Sequence, residues 1–343
     1  MADFTIPSTL IPGTAAATSY DLPNYLGELF DLMPQVTKFW NLIATNGGRD
    51  VRSRDFVWEI EDGEPSGATN QRVENASVTG DLVPRQPVSN VVEIHQEAVD
   101  FGYTAQAVID QIATDAPVSA SDIALDGDQP VKSPMQHQIN KKILKIKRDL
   151  NTTFINGTYH NPGTNATARR TRGILEAITT HAINYFDGVG GKGTAYTSLE
   201  QVVEDILLDM VAPTVEAETA VMQDIVFLMN PKHRRGFSSV YSADGALAPR
   251  DRKVGGVALE RIVTDHGEFY LSSERYIPVG TLLIVDLSVL RPVFLPIPGK
   301  GVFFVEPLGK TGATDKAQIY GEVGLEYGPE TYHGKVTTLP TSF

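Results

Sequence analysis

The stretch most suggestive of chemistry is Gly188-Val189-Gly190-Gly191-Lys192-Gly193-Thr194. A glycine-rich loop closing on lysine and a hydroxyl residue can cradle phosphate through backbone N–H groups and an ammonium. That use needs a hydrophobic strand before the loop and a Lys-Ser/Thr pair opening a helix after it. Neither is present, so the run reads as a hinge. The 7 histidines are His95, His137, His160, His181, His233, His266 and His333. None forms the His-Glu-x-x-His spacing or a close pair that a metal needs. Serine, histidine and aspartate are plentiful, but there is no Gly-x-Ser-x-Gly elbow. With 0 cysteines, thiolate zinc sites, cysteine nucleophiles and disulfide frameworks are excluded. No catalytic residue, metal site or cofactor is predicted.

Two basic clusters, Arg169-Arg170-Thr171-Arg172 and Lys232-His233-Arg234-Arg235, could face nucleic acid. They lack interleaved aromatics, and the chain carries a net charge of −13. Solvated surface or salt bridges between subunits is the better reading. So acidic a chain is not built to hold phosphates by counterion release, so any contact with DNA is non-specific. Met1-Ala2-Asp3-Phe4 lacks the basic and apolar regions of a signal peptide. The Asn-x-Ser/Thr sequons at Asn75, Asn151, Asn156 and Asn165 are therefore chance matches. No apolar run approaches the ~20 residues of a membrane span, so no membrane partner is expected.

With 343 residues, 41% hydrophobic and 21% charged, the chain is globular and long enough for two domains. Residues 1–20 read as an extended arm. Leu22 to Ala44 carries a helical pattern broken at Pro34: Tyr25, Leu26, Leu29 and Phe30, then Val36, Phe39, Trp40 and Ile43. An arm and helix this apolar need a covering surface, the chain's own or a neighbour's. Phe56, Trp58 and Ile60 alternate as a strand, and Val91 to Ile94 reads as its return. Between them lies the polar excursion Glu61–Asn90, too long for an ordinary loop. The pair predicts a projecting antiparallel ribbon, with Trp58 and Ile60 anchoring its base.

Ser133, Pro134 and Gln136 form a capping box. The stripe Met135, Ile139, Ile143, Ile146, Leu150 and Phe154 then predicts a helix of about 22 residues, roughly 33 Å long. Lys141, Lys142, Lys145, Lys147 and Arg148 fill its other face. A second capping box at Ser198 opens a further unit of mixed helices and strands. In it, Leu259–Val263 and Phe269–Leu271 flank a turn at Asp265-His266-Gly267. Ala317 to Tyr327 alternates as a long strand, expected beside the long helix. The class is α+β with a mixed sheet. A free arm, a ribbon, a spine helix and a long strand are features with which a protein grips copies of itself.

Residues Leu259 to Leu295 carry Thr264-Asp265-His266-Gly267, then Arg275-Tyr276-Ile277-Pro278, then a strand ending at Asp286. With Gly321-Glu322-Val323-Gly324-Leu325-Glu326 and Phe154-Ile155-Asn156-Gly157-Thr158, these resemble the major capsid proteins of tailed bacteriophages. That fold is shared with encapsulins and herpesvirus capsid floors. The resemblance implies an N-terminal arm at 1–50 and an extended loop, a long β-hairpin, at 51–97. It implies a peripheral domain with a spine helix at 98–190 and 301–343, and an axial domain at 191–300. It implies self-assembly as hexamers and pentamers into an icosahedral or prolate head around packaged double-stranded DNA.

Its implied partners are other copies of the chain, a portal, a separate scaffold and decoration proteins. Its implied location is the virion, after assembly in the bacterial cytoplasm. Trp58, Glu61, Glu64, Arg72, Glu74, Arg85, Arg169, Arg170, Arg172, Arg234 and Arg235 are the candidate intersubunit contacts. No lysine occurs between Val51 and Val131, so a lysine–asparagine crosslink from this loop is excluded. Only about twenty residues precede the first helix, too few for a fused scaffolding segment of the kind many relatives carry. The acidic balance is expected to favour the inner face of the shell. The alternatives are an encapsulin-type compartment, which needs a cargo-peptide pocket, and a soluble enzyme of unidentified chemistry.

Overall fold

The computed structural model describes residues 37–61, 71–77, 80, 82–103, 134–164, 166–184, 225–236, 252–254, 257–264, 267–310 and 312–339. The arm at 1–20, the helical pattern before Pro34, Ser133, the 187–193 hinge and the helix opened by Ser198 lie outside the described residues. The described elements begin with α1 (Lys38–Ala44), β1 (Arg49–Asp50), β2 (Asp55–Glu61), β3 (Arg85–Val91) and β4 (Glu93–Gly102). Next come α2 (Pro134–Asn156), α3 (Ile174–Ala177), β5 (Ala182–Asn184) and β6 (Ile225–Met229). Then follow β7 (Arg252–Val254), β8 (Val257–Thr264), β9 (Gly267–Ser273), β10 (Leu282–Asp286) and β11 (Arg291–Phe294). The last are β12 (Phe303–Leu308), β13 (Thr314–Glu326) and β14 (Gly334–Thr337).

The long helix α2 buries Ile139, Ile146, Leu150 and Phe154. As expected, it lies on β13: Ile319, Val323 and Leu325 share one buried cluster with it. Ile143, predicted inside the stripe, stays 43% exposed. Helix α1 is only 7 residues, too short to hold by itself. Phe39, Leu42 and Ile43 are buried, and Trp40 packs on Phe154 at 5.6 Å between ring centroids. Its first N–H groups find acceptors far away in sequence. Phe39 N–H donates to the Glu274 carboxylate and Trp40 N–H to the Asn151 side chain, each at 2.8 Å. The surface that covers Phe39, Leu42 and Ile43 is thus the chain's own.

β13 organises the smaller sheet, pairing antiparallel with β4, β11 and β12. The seven-stranded sheet runs β5-β14-β10-β6-β9-β8-β7 and is mixed, since β6 and β9 are parallel. β6 and β10 are buried throughout, as a continuous apolar run at a sheet centre requires. β8 and β9 form the expected hairpin, closed at Thr264 and Gly267. The aspartate ending β10 has a local purpose. The Asp286 carboxylate accepts from Ser288 N–H (2.8 Å) and Ser288 O–H (2.7 Å), capping the 3₁₀ turn Leu287–Val289.

The two sheets exchange strands across the expected axial boundary. β11 lies within 191–300 yet pairs with β13, while β5 and β14 lie outside it yet join the larger sheet.

Candidate assembly surface

β2 and β3 pair in register from Asp55↔Val91 to Glu61↔Arg85 and form a two-stranded ribbon of their own. Phe56, Trp58 and Ile60 share the inner face, as the alternation predicted. Phe56 and Trp58 stack at 5.9 Å, and Trp58 meets the edge of Tyr327 at 4.9 Å. The Trp58 indole N–H donates to the Gly328 carbonyl at 3.1 Å. The return strand starts at Arg85, six residues before the expected Val91. Its apolar alternation is hidden by Arg85, Gln86, Pro87 and Ser89. Pro87 is tolerated because a ribbon strand has a free edge needing no donor. The connection between the two strands is thus 62–84, still long enough to demand a use.

Asn90, the last residue of the polar excursion, fastens the ribbon. Its side chain is fully buried. Nδ2 donates to the carbonyls of Leu325 (2.8 Å) and Arg172 (3.2 Å). Oδ1 accepts from the N–H groups of Arg172 (2.8 Å) and Val91 (2.9 Å). β13 and the 171–172 segment are thereby tied to β3. Beyond it, Val92 N–H donates to the Arg54 carbonyl at 2.9 Å, and the chain passes into β4. A buried asparagine carries no periodicity, so the only available signal was an amide flanked by apolar Val88, Val91 and Val92.

The first basic cluster is largely absorbed by the fold. Arg169 bonds the Glu322 carboxylate, whose other oxygen accepts from the Tyr320 hydroxyl at 2.7 Å. Burial, then the Glu322 hydrogen bond, push the Tyr320 phenol up to about 12. Thr171 is buried; its N–H donates to Glu93 at 3.2 Å, and burial pushes the Glu93 carboxyl up. The Arg172 guanidinium donates to the Tyr327 hydroxyl at 3.1 Å and sits 4.6 Å above the Tyr159 ring. Arg170 is exposed. A polar hollow of about 420 Å³ opens here between Arg54, Glu93, Asn161, Thr167, Arg169 and Arg170.

The second cluster divides in the same way. Asn230 Oδ1 accepts from Lys232 N–H at 3.1 Å, starting the helical turn at 231–236. His233 turns inward, its Nε2 accepting from Gly280 N–H at 2.8 Å. Arg234 is half-buried and Arg235 exposed.

On the ribbon's outer face, Arg85 bridges Glu59 (3.3 Å) and Glu61 (3.2 Å), all exposed and individually worth little. Arg72 and Glu74 are exposed, and Glu64 lies outside the described residues. Trp58, Glu61, Arg85, Arg169 and Arg172 thus have partners inside the chain. Among the described residues, no group of three or more His, Cys, Asp or Glu could hold a metal. Likewise, among the described residues, no helix is long and apolar enough to cross a membrane.

A spine helix over a long strand, a base-anchored ribbon and a separate mixed sheet define a known architecture. The chain is similar to the capsid of Myoviridae phage XM1 (12% identity, TM-score 0.58, covering 95% of this chain and 100% of that one). It is similar to the capsid of the native GTA particle (12%, 0.57, 96% and 100%). It is also similar to a chain of the holo-SrpI encapsulin complex from Synechococcus elongatus PCC 7942 (12%, 0.53, 92% and 94%). At this identity the likeness defines the fold, which is that of tailed-phage capsids and encapsulins.

No curated protein matches the chain. The SU10 major capsid protein family matches residues 12–340, and the chain belongs to that family. It is a structural component of a phage capsid that assembles with its own copies, and not an enzyme. Membership also decides between the phage head and the encapsulin reading, which the fold alone leaves level.

Proposed function

We propose that copies of the chain assemble as hexamers and pentamers into an icosahedral or prolate head enclosing double-stranded DNA. In this reading the 62–84 connection lies over a neighbouring subunit. The observation that carries it is the ribbon. Among the described residues β2 and β3 pair only with each other, and an isolated two-stranded ribbon is marginal in water. Here it is fastened at its base by Trp58 and Asn90, which leaves its far end for another surface. Arg72, Glu74, Arg170 and Arg235, all exposed, are the candidate contacts whose placement best suits such a surface. Glu64 belongs to the same connection. Trp58, Glu61, Arg85, Arg169 and Arg172 act there by shaping the ribbon and the wall beside it, and Arg234, half-buried beside Arg235, belongs to the second cluster.

The division into arm (1–50), extended loop (51–97), peripheral domain (98–190 and 301–343) and axial domain (191–300) belongs to the same proposal. The loop region has no lysine, so the shell holds by contact rather than by a lysine crosslink. Portal, scaffold and decoration proteins are its further partners. Assembly takes place in the host cytoplasm, with the acidic balance toward the DNA. Electron microscopy of the purified protein under assembly conditions tests this. Closed shells with five- and six-fold clusters are expected, and small oligomers under every condition overturn the reading.

A further inference from the structure

One apolar surface of the fold has no cover among the described residues. A groove of about 330 Å³ runs between the spine helix and β12, lined by Trp40, Ile143, Ile146, Leu150, Phe303 and Val305. Ile143, Phe303 and Val305 keep 43%, 38% and 46% of their surface exposed. On β12, Phe303 and Val305 lie opposite Gly321 and Ile319 of β13, so both face the helix. Lys147 stands on the groove's rim. Apolar surface of this kind is favourable to bury and is seldom left bare without a use.

We propose that residues 22–33 of the same chain seat their apolar stripe in this groove. Tyr25, Leu26, Leu29, Phe30 and Met33 recur at the one-face spacing of a helix, and Pro34 ends the pattern. A helix of this length spans about 18 Å, enough to cover the two turns of α2 from Ile143 to Leu150. Connectivity favours the chain's own segment. Only 34–37 separate it from α1, whose Trp40 lines the groove, and four residues reach about 13 Å.

Charge points the same way. Residues 1–37 hold Asp3, Asp21, Glu28 and Asp31 and no lysine or arginine. The spine helix they would meet carries Lys141, Lys142, Lys145, Lys147 and Arg148. Lys142 and Lys145 are engaged by Glu97, while Lys147 borders the groove.

The absence of cysteine makes the test clean. In the full chain, Leu26→Cys with Ile143→Cys is expected to form an intrachain disulfide under mild oxidation. Leu26→Cys with Val57→Cys, on the ribbon's exposed face, is expected not to. Mixing tagged and untagged copies separates the two occupants: a link between chains overturns the proposal in favour of a second copy. No link above the control pair overturns it outright. As a second measurement, Lys147→Glu is expected to speed chymotrypsin cleavage at Tyr25 and Phe30, and Glu28→Lys on the same chain to slow it again. Cleavage unchanged by Lys147→Glu overturns the charge argument and with it the seating.

Discussion

The side-chain amide of Asn90 donates to the carbonyl of Leu325 across 2.8 Å, joining residues 235 apart in sequence. That bond and its three companions fix where the ribbon leaves the long strand. Asn90→Leu strands the Arg172 N–H and the Leu325 carbonyl without partners, and each buried orphan costs about 1–3 kcal/mol. A loss of roughly 3 kcal/mol in denaturant unfolding is expected. Asn90→Asp keeps the acceptor but turns a carboxylate oxygen toward two carbonyls. It is expected to be worse at pH 7 than at pH 5, where protonation restores one donor.

Shortening the connection separates folding from assembly. Replacing 66–83 by a short Gly-Ser link leaves β2, β3, Trp58 and Asn90 intact. The variant is expected to keep the circular dichroism and melting behaviour of the parent while losing shells in micrographs. Normal shells from it remove the loop from the assembly role. Trp58→Ala is the converse: it loses the Tyr327 edge contact and the Gly328 bond, and is expected to destabilise the subunit by roughly 2–4 kcal/mol.

Arg169 and Glu322 form an ion pair in which both side chains are largely buried. Removing one partner leaves a desolvated charge, which costs roughly 3–5 kcal/mol. Arg169→Met is expected near the low end of that range. Arg169→Met with Glu322→Gln is expected to recover a good part of it. A double-mutant cycle by chemical denaturation reads the coupling, and additive effects of the two changes exclude it.

Gly324 sits where the ribbon crosses β13. A Cβ there would lie 2.8 Å from Phe56 Cε1 and 3.0 Å from the Val91 carbonyl oxygen. Gly324→Ala is expected to cost roughly 1–3 kcal/mol through overpacking. Hydrogen exchange should place the effect at 55–61 and 85–91. Even exchange across the chain speaks against the contact.

Acid should weaken the subunit through two buried histidines. Burial lowers His333 and His95 to about 4 from the usual 6.5. His333 is held neutral: its Nδ1 accepts from Asp286 N–H at 3.3 Å and its Nε2–H donates to the Tyr327 carbonyl at 2.7 Å. Between pH 6.5 and 4 the unfolded chain binds more protons than the folded one. Stability therefore falls as pH falls through that window, by up to roughly 3 kcal/mol per histidine. His95 Nε2 has no hydrogen-bond partner, so His95→Phe should keep stability at pH 7 and remove part of the acid loss. Melting curves across this pH range are the measurement.

Local pattern alone determined much of this protein. The repeat of Ile139, Ile146, Leu150 and Phe154 specifies the spine helix, because apolar residues three and four apart share one helical face. Period two specifies β2 through Phe56, Trp58 and Ile60 for the same geometric reason. The apolar runs of β6 and β10, the Thr264–Gly267 hairpin and the capsid motifs were equally plain. What only the tertiary structure decided involves groups that find partners far along the chain.

β13 alternates Ile319, Val323 and Leu325 with Tyr320, Glu322 and Glu326, which reads as one wet face. Both faces are buried in its second half, since Glu322 meets Arg169 and Glu326 meets Arg49 at 3.0 Å. The same holds for Asn90, for the Glu274 carboxylate at the start of α1 and for His233 beneath an exposed basic cluster. Burying a polar group is favourable only when its hydrogen bonds are met, and the fold, not the neighbouring sequence, supplies them.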